Sequence, residues 1–361
     1  MRRSFYIKLL VISLLPGYIT PSLGQTTLVS FDDTHITYEG RIGKKETTSE
    51  IYWSGSSIHI NFEGTAIKAT LEDENGTNYF NIIIDGQVAV LKLKKGRQSY
   101  TLAEHLDSGK HSLLLTKRNE WTYGMTSFYG FEIDDYKALP PPKKKSVFIE
   151  FYGDSITTGH GNEDTSGNDK PDGSVTNNYN TYAAMTARSF HADYTCIARG
   201  GIGVMVSWYD MIMPEMYNRL NPKDPKSIWD FSQKIPDIVV INLFQNDSWI
   251  VNKPDNPEFK RRFGTKKPTK NFIITSYQSF IKKIRKQYPK ASIICLLGNM
   301  DSTKDDSEWP EYVDTAVRSM QDDHIYTCIV PFKKTKGHPN VEEHKVIAEK
   351  LSEIIKTKIQ L

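Results

Sequence analysis

Cysteine is scarce. Cys196, Cys295 and Cys328 are the only three in 361 residues, too few and too scattered for a disulfide-stapled scaffold or a zinc ribbon. An excess of charge of one sign is lacking too. Lys and Arg total 46 against 43 Asp and Glu, a formal charge of +3 that on so long a chain is no nucleic-acid footprint. No stretch reaches the roughly 18 apolar residues that a membrane-spanning helix needs. No Gly-Lys-Ser or Gly-Lys-Thr follows a strand, and Gly200-Gly201-Ile202-Gly203 lacks the spacing of a dinucleotide loop. His338 and His344 are poorly spaced for two ligands on one helical face and no acidic cluster accompanies them, so no metal and no cofactor is expected. What is present is enough for a buried core: 38% hydrophobic and 25% charged residues, in a chain long enough for two domains.

The first segment reads as a signal for export. Met1-Arg2-Arg3 is basic, Leu9 to Leu15 is apolar, and Ser22-Leu23-Gly24 puts small residues before Gln25. That is the grammar of a cleaved secretory peptide over 1–24; an uncleaved anchor is the competing reading. Removing it takes away Arg2, Arg3 and Lys8 and no acidic residue, so the mature chain carries no net formal charge. Export raises the question of disulfides. Each cysteine sits in an apolar run and reads as a buried free thiol, although one oxidised pair is compatible with the count.

From 25 to 138 the pattern is short and β-like. Ser57–Phe62, Ile67–Leu71 and Val88–Leu93 alternate, and turn signals such as Asn75-Gly76, Asp85-Gly86 and Ser108-Gly109 punctuate them. Strands at this spacing predict an antiparallel sandwich or jelly roll. Residues 139–145, Leu-Pro-Pro-Pro-Lys-Lys-Lys, read as a stiff, solvated linker. From 146 to 361 the grammar changes. Apolar runs of strand length at 146–152, 193–198, 237–244, 291–297 and 324–330 alternate with helical segments at 182–191, 272–288, 311–320 and 341–358. Such alternation predicts an α/β domain, a parallel sheet covered on both faces, with its chemistry at the carboxyl ends of the strands.

Four features fall at those ends. Gly153-Asp154-Ser155 closes the first strand, and Gly153 lets the chain turn tightly before a serine. It is not the α/β-hydrolase elbow, since position 157 is Thr rather than Gly. Ala198-Arg199-Gly200-Gly201-Ile202-Gly203 follows the second strand and offers backbone N–H groups to a substrate oxygen. Asn242 to Asp247 follows the third and offers side-chain amides. Gly337-His338-Pro339-Asn340 follows the last, where Pro339 suits a helix entry that pins His338. Singly, each has a bland reading as turn, cap or surface residue. Together they supply what serine acyl transfer needs: a hydroxyl, a base and an oxyanion hole.

The series Gly153-Asp154-Ser155, Gly201, Asn246-Asp247 and His338 resembles the SGNH (GDSL-type) hydrolase superfamily. The preceding β domain and the Gly337-His338-Pro339…His344 ending look most like carbohydrate esterase family 2. The resemblance covers essentially the whole mature chain. It implies an N-terminal jelly roll before an α/β/α SGNH domain, and removal of acetyl groups from plant polysaccharides such as xylan and glucomannan. It makes Ser155 the nucleophile and His338 the general base. Gly201 and Asn246, with the N–H of Ser155, become the oxyanion donors, and Gly203 is an alternative to Gly201. His344 then looks structural.

Two departures stand out. The usual Gly of the Gly-x-Asn-Asp block is Phe244, which either reshapes the pocket or fills space behind it. The Asp that usually stands three residues before the His is Thr335. Some members of the family resemble a Ser–His dyad with a backbone carbonyl orienting the imidazole. A dyad is therefore expected, or an acid from elsewhere such as Glu342, with Asp154 stabilising its turn. Trp208, Trp249 and Trp309 lie near strand ends, where an aromatic face stacks on a sugar or packs a core; Trp249 is the preferred one. His160 and Asn162 either face the cleft or cap polar groups. The expected partner is an acetylated polysaccharide or oligosaccharide, with no nucleic acid and no membrane after signal cleavage, and the protein is expected to be a monomer. Peptidoglycan acetyl groups, lipid esters or thioesters are alternative substrates. A non-catalytic sugar-binding protein is the alternative of another class.

Overall fold

The computed structural model describes residues 25–170 and 172–360; the export signal expected over 1–24 lies outside them. The N-terminal part is a sandwich of two antiparallel sheets. One sheet centres on Thr126–Asp134 and Ala66–Asp73, the other on Ser57–Glu63, Lys110–Lys117 and Tyr79–Ile84. The period-two alternation buries Ile58, Ile60 and Phe62 from one sheet against Ile67, Ala69, Leu71 and Ile133 from the other, while His59 and Asn61 point away. Asp85 and Gly86, at φ 50° and 84°, make the left-handed turn that the hairpin between Ile84 and Gln87 demands. Val88 and Val90 belong to the strand at the edge of that sheet and are exposed, so alternation there does not mark a buried face.

The second part is a five-stranded parallel sheet. Its order is Asp193–Ala198, Phe148–Gly153, Ile238–Asn242, Ser292–Leu297, Ile325–Ile329. Every residue from Ile238 to Asn242 is buried, as expected of a strand covered on both faces. Val239 and Ile241 pack against Ile273, Tyr277, Phe280 and Val313 of the helices Lys270–Gln287 and Trp309–Ser319. Ile238 and Val240 pack on the other face against Ala183, Ala187, Ile347 and Leu351 of Tyr182–Ser189 and Val341–Lys358. The three cysteines are buried and free. No described helix is long and apolar enough to cross a membrane.

The segment 139–145 is not simply solvated. Lys145 reaches back to Glu39 at 2.5 Å and sits 3.6 Å from Asp193, joining the two parts. A larger seam lies behind the sheet. Arg41, fully buried, donates to the carbonyls of Tyr217 (2.6 Å) and Arg219 (3.0 Å) and to the Tyr152 hydroxyl (3.0 Å), and lies 3.4 Å from Glu150. Trp53, equally buried, donates to the Leu220 carbonyl at 2.8 Å. Tyr52, Trp53 and Trp121 share one apolar cluster with Tyr152, Val239 and Ile241. Breaking a buried pair such as Arg41–Glu150 costs about 3–5 kcal/mol, since it strands a charge.

Candidate active site

The first strand of the parallel sheet ends at Gly153, where a Cβ would lie 1.9 Å from the Thr157 hydroxyl oxygen; only glycine permits so close an approach. Asp154 then caps the short helix Ser155–Thr158, its Oδ1 accepting from the Ile156 N–H at 3.0 Å. Ser155 opens that helix at the end of a buried strand. Its Oγ lies 2.8 Å from His338 Nε2.

His338 stands two residues before Asn340, the cap of the last long helix. Asn340, rather than the proline before it, caps that helix through a reciprocal box with Glu343. The imidazole has an acidic neighbour that the sequence did not reveal. Asp169 Oδ1 accepts the backbone N–H of His338 at 2.7 Å, and Oδ2 lies 3.1 Å from Nδ1. That second contact falls outside the line of the ring N–H and acts through charge more than as a straight hydrogen bond. Gly337 makes room, since a Cβ there would lie 2.7 Å from Asp169 Oδ1. Contact with the His338 side chain, against the opposing effect of burial, holds the Asp169 carboxyl at about 2. Of the two expectations, a dyad or an acid from elsewhere, the geometry brings an acid to the histidine, and it is Asp169 rather than Glu342. Glu342 pairs instead with Lys345 at 2.6 Å, and Thr335 turns to Lys333 and Glu343. The His160 ring meets His338 edge-on at 4.8 Å, and burial, then His338, lowers its pKa. Asn162 is buried and exchanges hydrogen bonds with the Asn177 backbone, and it lines a cleft together with Asp169 and His338.

The groups expected to form an oxyanion hole are Ser155, Gly201 and Asn246. The N–H groups of Ser155 and Gly201 donate to no protein group among the described residues. Gly201 has φ 81° and its absent Cβ would meet Tyr209 and Trp208 at 3.2 and 3.3 Å, so glycine is required twice over. Gly203 is not an alternative donor, because its N–H is committed to Ser207 Oγ at 2.9 Å. Asn246 is buried and fixed. Its Oδ1 accepts from Trp208 Nε1 at 3.0 Å; its Nδ2 donates to the Ile202 carbonyl at 2.9 Å and, less closely, to Asp154 Oδ2 at 3.2 Å. Burial pushes Asp154 up to about 7. Asp247 accepts the N–H groups of Val204, Met205 and Val206 at 2.9, 2.7 and 3.1 Å, anchoring the glycine loop; burial pushes its carboxyl up to about 6 against those bonds.

The tryptophans separate by role. Trp249 donates to Asp301 at 2.9 Å and lines, with His338, Asp169 and Phe332, a cleft of about 430 Å³. Trp208 is 42% exposed and orients Asn246. Trp309 is buried against Phe244 and Tyr312, in the core rather than on a surface open to a sugar, which corrects its place among the sugar-binding candidates. His344 is buried, stacks on Tyr182 and accepts its N–H at 3.3 Å.

Phe244 fills space behind the site. Its ring packs 4.5 Å from Tyr277 and 5.0 Å from Trp309, and its backbone sits at φ 85°, where glycine is at ease. In Phe244→Gly, relief of about 1–2 kcal/mol opposes a cavity cost of about 3–5 kcal/mol. The cavity wins: the expected net loss is about 2–3 kcal/mol, read from the denaturant midpoint.

Residues 38–142 match the family model described as carbohydrate esterase 2 N-terminal, and residues 151–343 the GDSL-like lipase/acylhydrolase family. The cellulase/esterase CelE of Acetivibrio thermocellus is 32% identical over 91% of this chain, which spans only 40% of that protein's length. An acetylxylan esterase/glucomannan deacetylase of Cellvibrio japonicus is 27% identical over 83% of each chain. The solved structure of a family two carbohydrate esterase from Clostridium thermocellum, in complex with cellohexaose, superposes with a TM-score of 0.81 at 32% identity, covering 90% of this chain and 99% of the other.

Proposed function

The chain belongs to carbohydrate esterase family 2, on the GDSL-like acylhydrolase fold, and from that premise we propose that it is an exported O-acetylesterase. Its substrates are acetyl esters on plant polysaccharides of the xylan and glucomannan type, the substrates named for its relatives. The Met1–Gly24 segment directs export, and the mature chain's zero net formal charge suits a neutral glycan. The observation that carries the reading is the 2.8 Å contact between Ser155 Oγ and His338 Nε2, beside two unengaged N–H groups at the carboxyl end of a parallel sheet.

The reaction runs in two steps. His338 takes the Ser155 proton as Oγ attacks the acetyl carbonyl. The oxyanion rests on the N–H groups of Ser155 and Gly201, joined by Asn246 as its longer bond to Asp154 is given up. His338 then gives that proton to the sugar oxygen as its bond to the acetyl carbon breaks, leaving acetyl on Ser155; water, activated by the same imidazole, attacks that ester and releases acetate and the free Ser155 hydroxyl. Asp169, ionised throughout the working range, stabilises the imidazolium and holds its ring. For Asn246→Ala, kcat is expected to fall by about 10²–10³, measured on a soluble acetate ester.

The test is acetate release from acetylated xylan, glucomannan and peptidoglycan, with Ser155→Ala as control. Release from the plant glycans, lost in the control, is the expected result. Release from peptidoglycan alone moves the substrate class, and no release from any ester overturns the esterase reading.

A further inference from the structure

The sandwich reaches toward the catalytic centre with the stretch Arg118 to Trp121. Arg118 pairs with Glu163 and donates to the carbonyls of Thr176 (3.3 Å) and Ser174 (3.0 Å), while Asn119 donates to the Gly173 carbonyl at 3.0 Å. These bonds grip the loop that carries Asp169. Glu120 goes further. One of its carboxylate oxygens accepts the N–H of Gly200 and the other the Thr122 hydroxyl. A Cβ on Gly200 would lie 3.4 Å from that carboxylate and 3.7 Å from Ser155 Cβ, so the carboxylate and the nucleophile flank the same residue. No Lys, Arg or His pairs with Glu120 among the described residues.

Gly200 has no side chain to hold it. Its carbonyl is taken by the Tyr209 hydroxyl at 3.0 Å, and that carbonyl shares a peptide plane with the Gly201 N–H. Next to it the Arg199 guanidinium lies 3.2 Å from the Tyr209 ring centroid and 4.8 Å from that of Trp121. Fixing the N–H at one end of Gly200 and the carbonyl at the other fixes both its dihedrals, and with them the aim of the oxyanion donor. A carboxylate beside a forming oxyanion repels it, so charge is not what Glu120 supplies. Building on the esterase reading, we propose that Glu120 is a positioning residue of the oxyanion hole, contributed by the sandwich to a catalytic centre that the α/β domain does not complete alone.

Glu120→Ala is expected to lower kcat on a small chromogenic acetate about 10- to 100-fold, the scale of a displaced catalytic group, with KM within about threefold. Glu120→Asp, which keeps the charge but withdraws it from Gly200 and conserves the fold, is expected to fall likewise. Glu120→Gln, whose amide oxygen still accepts the N–H, is expected to stay within about threefold of the wild type. Unchanged kcat in the alanine and aspartate variants overturns the proposal. So does a loss confined to KM on glycans, which makes Glu120 a sugar contact, and so does a glutamine variant as impaired as alanine. Ser155→Ala run beside them separates the two readings: its full activity removes the esterase mechanism, whatever Glu120 does.

Discussion

Ser155→Ala is expected to lower kcat about 10⁶-fold, the loss seen when a triad nucleophile is removed. Ser155 Oγ is the hydroxyl that His338 Nε2 contacts. The substitution spares the rest of the machinery. The N–H of residue 155 belongs to the backbone, Asp154 still caps the helix through Ile156, and Ser155 is only 6% exposed, so the methyl of alanine fits the space. Stability should change by about 1 kcal/mol, one hydrogen bond's net worth. Acetate release and thermal unfolding measured on the same preparation check both halves. A variant that turns over like the wild type sinks the mechanism.

The second large effect belongs to Asp169. Asp169→Asn is expected to cost about 10²–10³ in kcat, less than the roughly 10⁴ of a fully buried triad carboxylate, because Asp169 is only half-buried and its Oδ2 lies off the N–H line. The amide keeps the bond to the His338 backbone N–H but brings no charge to face the imidazolium. A dyad held by a backbone carbonyl gives the opposite result, a loss within about threefold. Stability tells the same story with pH. The folded pKa of Asp169 lies below its ordinary value, so its contribution is present above pH 3.8 and is lost as pH falls toward about 2. Wild type and Asp169→Asn should therefore differ in unfolding midpoint at pH 6 and converge near pH 2.

Much of the site was legible because the chemistry falls where strands end. Ser155, Gly201, Asn246 and His338 each follow an apolar run of strand length, and a parallel sheet gathers such ends along one edge. Asp169 was not legible. It sits in a polar loop without period, and packing alone brings it to a histidine 169 residues further on. Thr335 announced only that the usual acid was missing. Trp309 shows the same limit from the other side: nearness to a strand end in sequence does not say whether a ring turns outward or into the core. Lys145 read as solvated because a run of lysines usually is, yet one of them finds Glu39 across the seam.

That seam bears on how such enzymes are cut and recombined. The proline triplet invites treating the two halves as interchangeable parts, to be shuffled or truncated at residue 140. Energetically the border is elsewhere. Separated at the prolines, the sandwich would carry a naked Trp53 and a guanidinium whose carbonyl acceptors at Tyr217 and Arg219 had stayed with the other fragment. The unit of inheritance is the pair, and a boundary conspicuous in composition is not one at which the molecule comes apart.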